Sequence, residues 1–452
     1  MVYSVLLALA VSGAAASSAS YSSRVPESTI EPSVTAISAA AASATALSPV
    51  SNVPGLAFDR VIQIWLENQD YAKGAADPNL KWIAERGLTL SQYYGITHPS
   101  EPNYCAAAGG DNFGMDNDDF NTIPANVSTV VDLLDTKGIA WGEYQEHIPY
   151  AGFEGFNYSN QQTYANDYVR KHNPLAIYES VSQNATRLSL IKGFDNFYSD
   201  LANHTLPQWA FITPNMTNDG HDTTITYTGN WARTFLEPLL NNTYFMNNTL
   251  IILTFDEVET YTVHNNPFTI LLGGAVPADK INTTDSTFYT HYSMISTVSV
   301  NWGLPSLGRW DCGANVIDFV ATAANYTNAV VDTNNLFFNS SYPGPVSDAL
   351  FYPVWDTPNT VAKCASGMGV LDSVVATWGQ SNGTKNYTNA YPYDQLVGND
   401  VGGTPTQGLA SGASYTSTTS ATATSTKKSG ASTTVGSISA VLAAAALVAL
   451  AM

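Results

Sequence analysis

Positive charge is scarce in this sequence. The chain has 17 Lys and Arg residues against 37 Asp and Glu residues, so its formal net charge is −20 at pH 7. This balance excludes a general nucleic-acid-binding function, because such a function needs a basic surface. An anionic substrate would also be repelled at long range, so a phosphate site would need concentrated local positive charge. A bound metal ion would supply that charge.

Cysteines are also few, and nucleotide-binding motifs are absent from the sequence. There are three cysteines, so they cannot all pair with one another. Cys312 and Cys364 both lie in the C-terminal part and are the candidates for one disulfide. The Ala-rich apolar surroundings of Cys105 favour a buried thiol. The sequence has no internal repeat and no GxGxxG or Walker pattern.

We expect neither end of the 452-residue chain to belong to the fold. Residues 1–18 are mostly apolar with small residues at Ala14 and Ala16, which is typical of a secretory signal peptide. Residues 19–52 are mostly Ser, Ala, Thr and Val, and we interpret them as a linker or propeptide. Residues 401–434 form a Ser/Thr-rich stalk, which predicts O-glycosylation.

An apolar tail at residues 435–452 closes the sequence. Small residues at Ser429, Gly430 and Ala431, a short polar spacer and this tail match a GPI-attachment signal. A tail-anchored helix is the alternative, although the strongly apolar part is short for a membrane span. Twelve Asn-x-Ser/Thr sequons between Asn126 and Asn386 predict heavy N-glycosylation. We therefore expect an extracellular, GPI-anchored glycoprotein at the cell surface or cell wall.

Three apolar stretches end in polar side chains. Val61 to Leu66 has the pattern of a strand buried on both faces, and Glu67-Asn68 follows it at once. Leu250 to Phe255 runs in the same way into Asp256-Glu257. Trp209 to Thr213 is the third stretch, and the polar residues after it are Asn215, Asn218, Asp219, His221 and Asp222. Neighbouring parallel strands would bring these ends to one rim, where open α/β sheets bind ligands. The pattern predicts one α/β domain over residues 53–400.

The polar residues at this predicted rim suit a metal ion. Glu67, Asn68, Asp256 and Glu257 offer only oxygen ligands, with Ser100 as a possible fifth. Oxygen ligands fit a hard or borderline divalent cation, and nearby histidines allow zinc or another transition metal. The sequence therefore predicts a divalent metal ion of unspecified identity.

The stretch Thr97 to Tyr104 (THPSEPNY) has the features of a nucleophile loop. Two prolines around Ser100 stiffen the backbone, and the small residues that follow let a helix N-terminus approach a bound anion. A metal touching Ser100 would lower the pKa of its hydroxyl and favour an alkoxide nucleophile. A proline-stiffened turn whose serine caps the helix is the alternative.

Cationic candidates are few. Arg170, Lys171 and His172 form a cluster that is either a solvated helix end or a contact to a phosphate or its leaving group. The candidates to bind phosphoryl oxygens or protonate a leaving group are His98, His221 and His291. We expect these rings to be charged at acidic pH, the normal state of an exposed imidazole there.

Four motifs in fixed order resemble a known family. Glu67-Asn68, THPSEPNY, PNMTNDGHD (Pro214 to Asp222) and TFDE (Thr254 to Glu257) resemble the phosphoesterase family of secreted acid phosphatases and bacterial phospholipases C. The chain is most similar to the fungal acid phosphatases of that family, and KHNP at Lys171 to Pro174 adds to the resemblance. The resemblance implies an alkaline-phosphatase-like α/β fold, with a central, mostly parallel sheet flanked by helices on both faces.

The resemblance also implies roles. Ser100 would be the nucleophile that becomes transiently phosphorylated, with His98 and His221 beside the phosphate; His291 matches no motif. The implied metal ligands are Glu67, Asn68, Asp256 and Glu257, and the candidate substrate contacts are Asn103, Lys171, His172, Asn215 and Asp219. We expect the sequon at Asn215 to be unmodified, because a glycan would crowd the pocket.

The resulting expectation is a secreted, metal-dependent acid phosphatase acting on small phosphate monoesters. A phospholipase C or other phosphodiesterase on the same scaffold is one alternative. A catalytically inactive, glycosylated cell-wall protein is the other.

Overall fold

The computed structural model describes residues 30–390. The predicted signal peptide, stalk and GPI-signal tail lie outside this range, as do residues 391–400 of the predicted catalytic domain. Within residues 30–390, no helix is both long and apolar enough to cross a membrane.

Strands and helices alternate along most of the described chain. The strands are β1 (Arg60–Leu66), β2 (Leu88–Leu90), β3 (Tyr93–Tyr94), β4 (Trp141–Gln145), β5 (Asn157–Tyr158), β6 (Tyr168–Val169), β7 (Ile191–Lys192), β8 (Trp209–Thr213), β9 (Thr249–Phe255), β10 (Thr269–Leu272), β11 (Thr283–Asp285) and β12 (Tyr289–Thr290). The helices are α1 (Val34–Ala41), α2 (Tyr71–Ala76), α3 (Pro78–Ala84), α4 (Ser100–Gly109), α5 (Val130–Asp135), α6 (Glu179–Ser182), α7 (Ala185–Leu188), α8 (Phe194–Asn203), α9 (Ile225–Leu240), α10 (Thr243–Met246), α11 (Tyr292–Trp302), α12 (Asp318–Ala323) and α13 (Asp372–Trp378).

Eight strands form one central sheet in the order β11-β2-β10-β9-β1-β8-β4-β7. The neighbours β9, β1, β8, β4 and β7 are paired parallel, and β10 runs antiparallel to both β9 and β2. The three apolar stretches of the sequence are β1, β9 and β8, which lie side by side with β1 in the middle. The predicted α/β fold with a mostly parallel central sheet is confirmed.

Side chains of β1 are buried on both faces, as its continuous apolar sequence predicts. Val61 and Trp65 pack in the core that includes α4, α5 and α11. Ile62, Ile64 and Leu66 pack in the opposite core, which includes α3, α8 and α9. Each large apolar side chain buried in this way stabilises the fold by roughly 1.5–3 kcal/mol. Helices therefore flank the sheet on both faces and fix the carboxyl end of β1 in place.

Local sequence sets the helix that begins at the nucleophile loop. Helix α4 starts at Ser100, directly after Pro99, and every residue of the helix is buried. It ends at Gly109, and the next residue, Gly110, caps it with a left-handed φ of 72° that glycine adopts without strain. The sequence from Ser100 to Gly110 thus produces a short, buried helix whose first residue is the candidate nucleophile.

Residues 30–52 lie against the domain, although their composition suggested a linker or propeptide. The Leu47 amide donates to the Ser189 carbonyl at 3.0 Å. Ser48 Oγ accepts a 2.8 Å hydrogen bond from the buried Lys192 ammonium, and Ser51 Oγ donates to Gln208 Oε1 at 2.6 Å. Small polar side chains thus attach this segment through hydrogen bonds rather than through a core of its own.

The C-terminal part of the described chain is closed by one disulfide. Cys312 and Cys364 are bonded, across a sequence separation of 52 residues. Cys105 is a buried free thiol in α4. Both cysteine predictions are confirmed.

Candidate active site

The carboxyl ends of β1, β9 and β8 meet at one rim of the sheet. Leu66 of β1 is in register with Phe255 of β9, so the polar residues that follow each strand are neighbours. The backbone amide of Asn68 donates a hydrogen bond to Asp256 Oδ1 at 3.1 Å. The Glu67 amide donates to the Asp219 carbonyl at 2.9 Å, which ties in the segment after β8. The structure therefore brings together the three strand ends, as the sequence predicts.

Ser100 and Glu67 form the centre of the site. Ser100 Oγ donates a 3.0 Å hydrogen bond to Glu67 Oε2, and both side chains are buried. Since Ser100 is the first residue of α4, its hydroxyl lies at the positive end of the helix dipole. A serine hydroxyl that is held by a carboxylate at a helix N-terminus is a candidate nucleophile, and the helix N-terminus favours a bound anion beside it.

The second oxygen of Glu67 is held by two rings. Tyr104 Oη donates to Glu67 Oε1 at 2.9 Å, and His172 Nε2 lies 2.9 Å from the same atom. Burial by itself raises the pKa of Glu67, but the charge of His172 and its hydrogen bond outweigh burial and leave this pKa well below its usual range. The Glu67 carboxylate is therefore negatively charged and rigidly oriented.

His172 is the positive partner in this arrangement. Its Nδ1 lies 3.4 Å from Asp219 Oδ2, so the ring bridges Asp219 and Glu67. Burial lowers the pKa of His172, but the charge of Glu67 and the hydrogen bonds to both acids raise it to about 9. Because His172 and Arg170 are both buried, the solvated-helix-end alternative does not hold for them.

Glu257 is held by His98 and Asn103. Its Oε2 lies 3.0 Å from His98 Nδ1 and accepts a 3.1 Å hydrogen bond from Asn103 Nδ2. Asn103 also accepts from the Ile96 amide at 2.7 Å, so this side chain fixes the loop that precedes α4. Burial lowers the pKa of His98 to about 4. His98 is therefore neutral in mildly acidic solution, contrary to expectation, because the sequence does not reveal how completely the ring is desolvated.

His291 lies beneath the rim. Its Nε2 is 2.6 Å from the Asp256 carbonyl, its Nδ1 is 3.2 Å from Tyr93 Oη, and its ring packs 4.3 Å from that of Trp65. The side chain is fully buried, and burial lowers its pKa to about 3. His291 is thus also neutral in mildly acidic solution, and the geometry supports a role in positioning the Asp256 backbone.

Lys171 and His221 lie at the mouth of the site. Lys171 Nζ donates to Asp118 Oδ2 at 2.9 Å and lies 3.5 Å from His221 Nε2. His221 Nδ1 is 2.7 Å from Asp222 Oδ1, and its side chain is 29% exposed. Burial lowers the pKa of Lys171, but the charges of Asp118 and Glu67 raise it by more, so the ammonium group is charged. Lys171 therefore places positive charge at the mouth of the site.

The remaining candidates are bonded to protein atoms. Asn215 Nδ2 lies 2.9 Å from His147 Nδ1, and Asn215 Oδ1 accepts from the Thr217 and Asn218 amides. Asp219 Oδ1 accepts a 2.8 Å hydrogen bond from the His221 amide. Because Asn215 is buried and its amide group is engaged, the geometry supports the expectation that this sequon is unmodified.

Sequence reasoning missed two residues around His98. Asn339 Oδ1 lies 3.0 Å from His98 Nε2, while Asn339 Nδ2 donates to the carbonyls of Tyr261 and Val263. Tyr261 stacks on the His98 ring at 3.8 Å and is 50% exposed. The only local signal at Asn339 is its sequon, which suggests a glycan rather than a buried contact. Tyr261 follows the TFDE motif closely but carries no pattern of its own.

The acidic rim fits a divalent cation. Asn68 Oδ1 and Asp256 Oδ2 are buried and have no hydrogen-bond partner among the described residues. Burial, followed by the charge of Glu67, raises the pKa of Asp256 well above its usual range, so without a cation this carboxyl keeps its proton. A divalent cation at the rim would favour the ionised form. Within residues 30–390, no three His, Cys, Asp or Glu side chains are grouped in metal-binding geometry. Two of the expected metal donors, Asn68 and Ser100, are not His, Cys, Asp or Glu. The Glu67 and Glu257 carboxylates accept hydrogen bonds from protein donors.

The sequence matches a known family and known enzymes. Residues 69–305 match the model of the Phosphoesterase family, so more than half of the chain is covered. An acid phosphatase of Aspergillus fumigatus is 60% identical over 367 residues, which cover 80% of this chain and 82% of that protein. An acid phosphatase of Aspergillus niger is 55% identical over 359 residues, covering 78% and 86%. The chain belongs to the phosphoesterase family, and the predicted resemblance is confirmed.

Solved structures are more distant. A protein in the alkaline phosphatase superfamily from Vibrio parahaemolyticus is 12% identical, with a TM-score of 0.37, over 58% of this chain and 73% of that chain. A likeness of this size supports no conclusion by itself.

Proposed function

We propose that this protein is a secreted, metal-dependent acid phosphatase that hydrolyses small phosphate monoesters through Ser100. The observation that carries the proposal is the 3.0 Å hydrogen bond from Ser100 Oγ to the buried, ionised Glu67 at the N-terminus of α4. The acid phosphatases among its relatives support the reaction class. The charged Lys171 at the mouth supports an anionic substrate.

The proposed metal ligands are Glu67, Asn68, Asp256 and Glu257. A divalent cation bound there would favour ionisation of the Ser100 hydroxyl and neutralise charge on the phosphoryl oxygens. Glu67 orients the Ser100 hydroxyl through their hydrogen bond, while Tyr104 and His172 keep the carboxylate from turning. The chain thus holds its nucleophile in one rotamer before the substrate arrives.

The reaction is a double displacement. Ser100 Oγ loses its proton and attacks phosphorus, the bond from phosphorus to the ester oxygen breaks, and the alcohol leaves with one proton. Water then attacks the phosphoserine, which releases inorganic phosphate and returns a proton to Ser100. Lys171 and His221 lie at the mouth and would stabilise the negative charge of the entering phosphoryl group.

Secretion and glycosylation form part of the same proposal. A disulfide between Cys312 and Cys364 suits an oxidising compartment. Sequon asparagines such as Asn126, Asn203 and Asn282 are exposed and accessible to modification. The GPI anchor rests on the sequence pattern of residues 429–452 alone.

Ser100→Ala in the full-length protein tests the nucleophile. We expect hydrolysis of an aryl phosphate at about pH 5, where acid phosphatases of this kind are proposed to work, to fall to background. A chelator should abolish wild-type activity, and added divalent metal should restore it. Mass spectrometry after an acid quench should detect phosphate on the peptide that contains Ser100.

Ser296→Ala is the matched control, because Ser296 is also a buried helical serine and its hydroxyl has no partner among the described residues. It should retain activity. Hydrolysis that survives Ser100→Ala would contradict the assignment of the nucleophile and point to attack by water.

A further inference from the structure

Asp118 lies across the mouth of the site, in the segment between α4 and α5. Its Oδ1 accepts a 2.9 Å hydrogen bond from the Glu101 amide, and its Oδ2 accepts a 2.9 Å hydrogen bond from Lys171 Nζ. One carboxylate therefore bridges the first turn of α4 and the charged ammonium group. Neither the sequence motifs nor the proposed mechanism uses this residue.

These two donors are the ones that a phosphate on Ser100 would need. The Glu101 amide belongs to the residue after Ser100 and points out of the helix N-terminus, where a phosphoryl oxygen is favourably bound. Lys171 is close enough to Glu67 and Asp256 for their charges to raise its pKa. A carboxylate and a phosphate are both anionic acceptors, so they compete for the same amide and ammonium groups.

The Asp118 side chain has room to leave this position. It is 29% exposed, so it can turn into solvent. The neighbouring backbone is held, because Asp116 accepts from the Ser347 hydroxyl at 2.6 Å and from the Asp348 amide at 2.7 Å. The exchange thus needs rotation of one side chain and no movement of the loop.

We propose that Asp118 is a built-in competitor of phosphate, which occupies the Glu101 amide and Lys171 in the free enzyme and is displaced when substrate or product binds. This inference rests on the proposed function, since it assumes that the phosphoryl group lies at Ser100. Competition by Asp118 weakens the binding of inorganic phosphate, so that the product dissociates from the site more readily.

If Asp118 assists phosphate binding instead of competing with it, removing its charge would change the affinity for phosphate in the opposite direction. If Asp118 instead holds Lys171 in place for the substrate, removing its charge would loosen Lys171 and weaken phosphate binding. A competitor, once neutralised, leaves both donors free and strengthens phosphate binding. The direction of the change decides between the two roles.

Asp118→Asn in the full-length protein is the test, and inorganic phosphate is the probe. We expect the inhibition constant for phosphate to fall roughly tenfold, because a neutral amide competes much less well for a charged donor. The same gain should appear by calorimetry in a Ser100→Ala background, where no turnover is needed. Asp118→Ala should shift phosphate binding in the same direction, which guards against a misfolded single variant.

Asp119→Asn is the control, since it removes the same charge from the next residue. Asp119 is exposed, and within residues 30–390 no hydrogen bond or ion pair joins its carboxylate to Glu101 or Lys171. It should leave phosphate inhibition at the wild-type value. Unchanged or weaker phosphate binding in both Asp118 variants, in a protein that hydrolyses monoesters, would overturn the competitor role alone. Wild-type protein that neither hydrolyses monoesters nor binds phosphate would overturn the proposed function and this inference with it.

Discussion

Two buried carboxyl groups each contribute stability that is present in acid and is lost towards neutral pH. Glu143 in β4 and Glu101 in α4 are fully buried, and burial raises the pKa of each from 4.5 to about 8. Between these values the folded state binds one more proton per group than the unfolded state, so stability falls as pH rises. The slope is about 1.4 kcal/mol per pH unit for each proton. We expect the contribution of these two groups to the free energy of unfolding to be greatest below about pH 4.5 and to be lost towards pH 8.

Glu143→Gln isolates one of these protons. The amide keeps the size of the protonated carboxyl and can still accept the hydrogen bond that the Leu175 amide gives Glu143. Urea unfolding at pH 5, 6 and 7 should show that the change of stability per pH unit differs from that of the wild type by about 1.4 kcal/mol, the contribution of one proton, in the direction of a smaller decline. Glu85→Gln, at an exposed position, should decline as the wild type does. A Glu143→Gln profile parallel to the wild type would refute the assignment of a neutral buried carboxyl.

Three further outcomes follow from the structure. Tyr261→Ala should raise the KM for aryl phosphates several-fold but not that for glycerol phosphate, because the exposed face of Tyr261 offers a stacking surface worth roughly 1 kcal/mol; equal effects on both substrates would contradict this. Asn339→Ala should lower kcat about tenfold with little change in KM, since Asn339 holds both His98 and the Tyr261 loop, and Asn339→Gln should not restore the rate. Cys312→Ser should cost about 4 kcal/mol of stability by the loop-entropy model, and a shift of the urea midpoint equivalent to less than 1 kcal/mol would show that the loop is constrained without it.

The sequence predicted the elements of this fold whose pattern is local. Continuous apolar runs identified β1, β8 and β9 because those strands are buried on both faces, and the polar residues after them identified the rim. Asp77 and Pro78 are a further local signal, typical of a helix N-terminus, and they lie at the start of α3, where the Asp77 carboxylate accepts hydrogen bonds from the Asn79 and Leu80 backbone amides. Each of these signals is formed by residues that are adjacent in the sequence, so it can be recognised without knowledge of the tertiary structure.

The parts of the site that depend on distant contacts were not predictable. Asn339 reaches His98 across 241 residues of sequence, and no residue near either one signals the pairing. Residues 30–52 have the composition of a linker, yet Ser48 and Ser51 form hydrogen bonds with the buried side chains of Lys192 and Gln208 in the domain. Such contacts depend on which polar groups the tertiary structure brings next to the segment. The composition of the segment does not reveal those partners.

Burial also changes how an acidic working range can be explained. The sequence alone suggested histidines that become charged in acid, but burial keeps His98 and His291 neutral there, with pKa values of about 4 and about 3. The positive charge at the site comes instead from Lys171 and His172, whose pKa values are raised and which are charged at both pH 5 and pH 7. Protonation of His98 or His291 is therefore not what would favour activity at pH 5 over pH 7. Below about pH 6.5 the neutral His98 and His291 act on stability in the direction opposite to Glu101 and Glu143, because there the unfolded chain binds the additional protons. Between about pH 6.5 and pH 8 the contribution of Glu101 and Glu143 still falls, which predicts that loss of activity in this range follows loss of folded protein.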